Sequence, residues 1–161
     1  AGLAEALTAR GVEVVDRCNL AGPVNPWRAP DHGYRHLDEV VAWNRELMHA
    51  TAAELKLGRM PIMLGGDHCL GVGSITAVAR HCRDTGKRLR VLWLDAHSDF
   101  NTNEVTPSGN LHGMPVAVFV RETVLRKTEA TIAHQPKARP GALAAGLRMR
   151  TGDIMWLTRG T

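Results

Sequence analysis

Residues 91–101 read VLWLDAHSDFN. Four apolar residues run into Asp95, His97 and Asp99, each two positions from the next. A short, continuous apolar run predicts a strand covered on both faces. Along an extended segment, side chains two apart emerge on the same side, so the three polar groups are expected together. Two carboxylates and an imidazole suit a divalent ion that takes nitrogen and oxygen ligands, such as manganese, zinc or iron. Taken alone, a DxHxD segment is more often a surface loop or a hydrogen-bonded turn than a site.

Upstream, PIMLGGDH (61–68) repeats the pattern: an apolar run, two glycines, then Asp67 and His68. Alone it reads as a glycine turn with Asp67 as a cap. The segment between the two runs, GSITAVARHCRDTG, predicts a helix that starts near Ser74 or the neighbouring glycines and stops at Gly86. Before them, Leu37 to Leu57 predicts a long amphipathic helix closed by Gly58. AGLAEALTARG (1–11) predicts a helix ending at Gly11, and VEVV (12–15) a short strand, while the Pro-, Gly- and Asn-rich residues 21–36 predict a loop. Strands alternating with helices imply βαβ units, hence an α/β fold with a doubly wound parallel sheet in three layers. In such sheets ligands bind beyond the carboxyl ends of the strands, where both GGDH and DAHSD fall. His68 is therefore expected beside Asp95, His97 and Asp99, and a carboxylate with two oxygens can bridge a pair of ions.

The 161 residues are enough for one domain, and 44% hydrophobic content is enough for a real core. The net charge of +4 is unevenly placed. Residues 1–119 hold 12 Lys/Arg against 13 Asp/Glu, whereas residues 120–161 hold 8 against 3. No basic face is expected on the body, which argues against nucleic acid as a partner. Cys18, Cys69 and Cys82 are odd in number and widely spaced, so a reducing, cytoplasmic setting is expected rather than a disulfide framework. Neither a secretory leader nor an apolar run of membrane-spanning length is recognisable. The start at Ala1, inside a predicted helix and without an initiator Met, reads as a trimmed chain.

Residues 107–115, PSGNLHGMP, gather Ser108, Asn110 and His112 on a glycine-containing stretch. Hydroxyl, amide and imidazole groups so presented can grip a carboxylate and move a proton. The plain alternative is a turn before a helix. With GGDHCLGVGSI, LWLDAHSDFNT and TPSGNLHGMPVA in this order, the chain resembles the ureohydrolase family of arginases, agmatinases and related guanidino hydrolases. The run DFNTNEVTPSGNLHGMP is similar to the arginine-specific branch. The resemblance covers residues 1–119, read as a partial α/β domain of that family.

That resemblance implies an arginase-like α/β fold and two manganese ions. It implies a metal-bridging hydroxide that attacks the guanidinium carbon of L-arginine, releasing urea and L-ornithine. His68 would bind one ion and His97 the other, with Asp95 bridging and Asp99 on the ion of His68. Asn101, Thr106, Ser108 and Asn110 would hold the substrate carboxylate, and His112 would be the proton shuttle. A homo-oligomer is usual in the family, and no membrane is involved.

Two departures stand out. Cys69 occupies the position after GGDH where Ser is usual, and is expected to be a buried, inert thiol. The family's later Asp-x-Asp, which supplies two further ligands, has no match, since only Glu122, Glu129 and Asp153 are acidic beyond Asn110. Residues 120–161 therefore read as an atypical basic tail, out of frame or disordered. An agmatinase-like activity and a non-catalytic metal-binding remnant are the competing functions.

Overall fold

The structure, a computed structural model, describes residues 2–120. The tail assigned to 120–161 therefore lies outside the described residues, apart from Val120. A short helix α1 spans Leu3–Thr8. Helix α2 spans Leu37–Lys56 and α3 spans Gly71–Asp84, close to their predicted limits. Gly58 and Gly86, just past their ends, take φ of 71° and 69°, the left-handed conformation that lets a chain leave a helix. The final described segment is helical over 115–120.

Small residues set how α2 and α3 pack. Gly71, Gly73, Ser74, Ile75 and Ala77 form the buried stripe of α3, facing Leu47 and Thr51 of α2. A Cβ at Gly73 would lie 2.3 Å from the Asn44 carbonyl oxygen, so glycine is what permits this approach. The Gly73 N–H has no partner within the first turn of α3 and donates instead to Asn44 Oδ1, at 2.6 Å. Burying Leu47 and Ile75 here contributes about 2 kcal/mol each.

The three expected strands differ from expectation. Among the described residues no β-ladder forms, and one isolated bridge joins Asp31 and Tyr34. Residues 61–64 nevertheless alternate in exposure as an extended run would: Pro61 and Met63 turn inward, whereas Ile62 is 51% and Leu64 72% exposed. Their inward side, with Leu89 and Leu92, meets Leu55 of α2 and Ile75 and Val78 of α3 around an apolar cavity. A strand of a doubly wound sheet needs cover on both faces and pairing along both edges. The described residues cover one face, which is why apolar runs of strand character stand without a ladder.

Ion pairs tie the start of this layer to α2. Arg17, after the first apolar run, and Arg59, before the second, both contact Glu54 in the last turns of α2, at 2.8 and 3.0 Å. Arg59, then Arg17, hold the Glu54 carboxyl below its ordinary value of 4.5 against the opposing effect of burial. No described helix is long and apolar enough to cross a membrane.

Candidate metal centre

The GGDH turn delivers His68 by a sharp change of direction. Gly65 and Gly66 have φ of 81° and 85°, which residues with a Cβ rarely adopt. The chain then enters a 3₁₀ turn, His68–Leu70, capped by Asp67, whose Oδ1 accepts the Cys69 N–H at 2.8 Å. The cap expected of Asp67 is thus present alongside the functional placement of His68. The His68 ring packs edge-on against Trp93, with centroids 5.9 Å apart, so the apolar run 91–94 fixes its plane.

The DAHSD segment converges by a route that simple alternation did not foresee. Asp95 Oδ1 accepts the His97 N–H at 2.9 Å, folding 95–97 into a local turn. Asp99 takes φ of 47°, in the left-handed region that aspartate adopts more readily than most non-glycine residues, and its side chain is buried. Its carbonyl accepts the Val116 N–H at the start of the last described helix, and Asn101 N–H donates to Gly113 O at 2.9 Å. The two segments are thereby stitched together.

The result is a cluster of one imidazole and two carboxylates. His68 Nδ1 lies 2.9 Å from Asp95 Oδ2 and 2.9 Å from Asp99 Oδ2, and the two carboxylates are only 6% and 7% exposed. Potential ligand atoms of all three residues lie within 4.8 Å of one another. One ring nitrogen carries at most one proton, so Nδ1 can serve one carboxylate, and the aligned hydrogen bond runs to Asp99. Asp95 Oδ2 is left buried without a hydrogen bond. A buried anionic oxygen without a donor is costly unless a cation meets it, so this donor set fits a metal ion. Burial pushes the Asp99 carboxyl above its usual range, the His68 hydrogen bond opposes the rise, and the Asp95 charge adds to it.

His97 stands on the other side of Asp95. Its Nδ1 lies 3.3 Å from Asp95 Oδ1, and its side chain is 73% exposed. The two oxygens of Asp95 therefore address two different histidines. Asp67, His68, His97, Ser98, Asp99, Asn101, His112 and Gly113 line an open cavity of about 530 Å³. Of the expected site residues, His68, His97, Asp99, Asn101 and His112 are on its wall, and Asp95 is buried beside His68 and His97. Thr106, Ser108 and Asn110 lie on the loop beyond the lining. There Thr106 Oγ1 accepts the Gly109 N–H and Ser108 Oγ accepts the Asn110 N–H, each at 3.2 Å. Accepting one bond leaves each hydroxyl its own proton to donate.

Asp67 is the residue whose second role went unread. Its Oδ2 lies 3.4 Å from His112 Nδ1, while Oδ1 caps the 3₁₀ turn. Its place beside His68 was the available signal. Cys69 is buried as expected, and burial, reinforced by the Asp67 carboxylate, pushes its thiol far above the usual range.

Fold and site together define a protein built around a carboxylate–imidazole pocket able to take metal. The family described as Arginase family matches residues 4–136. The chain belongs to the arginase family. It is 44% identical over 120 residues to the arginase of Brucella melitensis, covering 74% of this chain and 39% of that protein. It is 36% identical over 125 residues to the arginase of Staphylococcus aureus, covering 76% and 40%. Among solved structures, Bacillus subtilis arginase aligns with a TM-score of 0.59 at 32% identity, covering 71% of this chain and 37% of that one. Entamoeba histolytica arginase, in complex with L-ornithine, aligns with a TM-score of 0.54 at 40% identity, covering 60% and 33%. The likeness gives this chain the arginase-like α/β fold, and the chain spans about two fifths of the length of the curated relatives it matches.

Proposed function

We propose that this chain carries the metal-binding and substrate-gripping part of an arginase-type hydrolase that converts L-arginine to L-ornithine and urea at a binuclear manganese centre. The observation that carries this reading is the Asp95 carboxylate, whose oxygens face His68 and His97 separately while Oδ2 accepts no hydrogen bond. In this reading His68, Asp95 and Asp99 hold one ion, and His97 with Asp95 holds the other. When bound, manganese supplies Lewis acidity that makes a water-derived nucleophile available near neutral pH.

The remaining work falls to the chain's own groups. Asn101, Thr106, Ser108 and Asn110 grip the carboxylate of the substrate's amino-acid end through amide and hydroxyl donors. Binding energy from that remote end holds the guanidinium carbon in place for attack. Breaking the bond from that carbon to the departing amine requires a proton on the amine nitrogen. His112 supplies it, since its half-exposed ring can exchange protons with solvent while Asp67 faces Nδ1.

The test is urea release from L-arginine by the full chain after Mn²⁺ loading, with a metal count per chain. Two ions with urea are expected, and the absence of both urea release and metal uptake would sink the reading. Metal uptake without urea would favour a second reading, a non-catalytic metal-binding remnant. Its motivation is the lack of an Asp-x-Asp after Asn110. An agmatine-directed activity is distinguished by Asn101→Ala, which should raise KM for L-arginine far more than for agmatine, a substrate without a carboxylate.

A further inference from the structure

We propose that Arg35 is the positioning residue that holds the segment 106–110 in its substrate-gripping conformation, a role that rests on the function proposed above for that segment. Arg35 sits 73 positions upstream of Ser108, just before α2, yet it meets this loop twice. Its backbone N–H donates to Gly109 O at 2.8 Å, and its guanidinium Nε donates to Ser108 O at 3.3 Å. Nη1 of the same guanidinium donates to Arg28 O at 3.4 Å, so one planar group spans two loops.

The surrounding contacts explain why the clamp sits there. Asp31 and Tyr34 exchange two backbone hydrogen bonds of 2.8 Å, closing a tight turn around His32 and Gly33. Gly33 lies so close to the other loop that a Cβ there would come 2.1 Å from Asn103 O, and Asn103 Nδ2 donates to His32 O at 3.1 Å. Gly109 has φ of 74° and nests against Pro30 and the Gly33 carbonyl. Within this interlock, Arg35 is the residue that grips the carbonyl between Ser108 and Gly109.

Holding that peptide group fixes where the Ser108 hydroxyl and the Asn110 amide point, because Ser108 Oγ and Asn110 N–H are themselves bonded. Among the described residues, Arg35 pairs with no carboxylate, unlike Arg28, which pairs with Glu39. Its charge therefore stays behind the loop without a local counter-ion and favours an anionic group in front of it. Removing the side chain costs the segment 106–110 its charged donor at Ser108 O, and frees the guanidinium's hold on Arg28 O, while leaving the backbone bond to Gly109 O and every residue assigned to substrate in place.

The experiment compares the full wild-type chain with Arg35→Ala in two measurements. Amide hydrogen exchange at Gly109 and Asn110 should accelerate about fivefold in the variant, with α2 and α3 unchanged. In the Mn²⁺-loaded chain, KM for L-arginine should rise roughly tenfold with kcat held within about twofold, and KM for agmatine should stay put. Unchanged exchange at Gly109, or equal losses for both substrates, would overturn the proposal. Should the wild type turn over neither substrate, the proposed function falls and takes the substrate half of this inference with it. The exchange measurement then still decides whether Arg35 clamps the loop. Arg35→Lys, which keeps the charge without the fork, should move both readouts the same way by less, and replaces the alanine variant if that one fails to fold.

Discussion

Substituting Gly73 by alanine tests the contact on which the α2–α3 pair, and through it His68, depends. The added methyl would sit 2.3 Å from Asn44 O and 3.0 Å from both Asn44 C and Cα, and all three are backbone atoms that no rotamer change can move. Relieving that overlap means separating the helices, and overpacking of this kind costs about 1–3 kcal/mol. Separation also stretches the 2.6 Å bond from Gly73 N–H to Asn44 Oδ1, a further loss of about 1 kcal/mol. Alanine returns up to about 1 kcal/mol through its better helix propensity. The balance is a destabilisation of roughly 2 kcal/mol, or about 6 °C in Tm for a chain of this size. Calorimetry or thermal circular dichroism measures it, and Mn²⁺ titration should show weaker binding, because α3 begins directly after the 3₁₀ turn that carries His68. A Gly73→Ala chain that melts at or above the wild-type temperature would refute the close-contact account. Asn44→Ala, which removes the acceptor without adding bulk, should cost about 1 kcal/mol.

Three further outcomes are expected. Asp95→Asn should weaken Mn²⁺ binding more than about a hundredfold and abolish any second ion, as read by calorimetric titration, since losing even a supporting partner of a metal ligand costs up to that much. Thiol labelling of the native chain should modify exposed Cys18 first and leave Cys69 unreacted until unfolding, because Cys69 is buried and its thiol resists ionisation. Glu54→Gln should lower Tm at neutral pH and not in acid. The folded-state pKa of Glu54 lies below 4.5, so its contribution is present above that value and disappears as pH falls through the lower, folded one.

The helices were legible because their signals are local. Periodic apolar positions and the glycines at 58 and 86 mark α2 and α3 without reference to any other segment. The runs at 12–15, 61–64 and 91–94 carry equally clear composition, but a strand's hydrogen bonds belong to its neighbour, and the described residues form no ladder. At the site, the meeting of His68 with Asp95 and Asp99 followed from their shared place at the ends of apolar runs. How they meet did not follow, because the turn at 95–97 and the left-handed backbone at 99 replace the expected alternation. The second contact of Asp67 left only its place beside His68 as a signal, and the reach of Arg35 to Ser108 left none. Both join segments far apart in the chain through side chains whose local sequence looks like ordinary turn and surface.

The conformation of Asp99 has a consequence for what this position can tolerate. A backbone at φ of 47° is comfortable for glycine and acceptable for asparagine or aspartate, and it disfavours longer or branched side chains. In the site proposed above this position supplies an anionic oxygen, which glycine lacks and which the neutral amide of asparagine does not bring. Glutamate meets the chemical demand at a greater backbone cost. Two independent preferences, one set by the peptide and one by the proposed ion, therefore both favour aspartate. Substitution at this position therefore meets a backbone cost and a chemical one together, and a redesign of the pocket that needs a longer ligand here would do well to rebuild the turn as well.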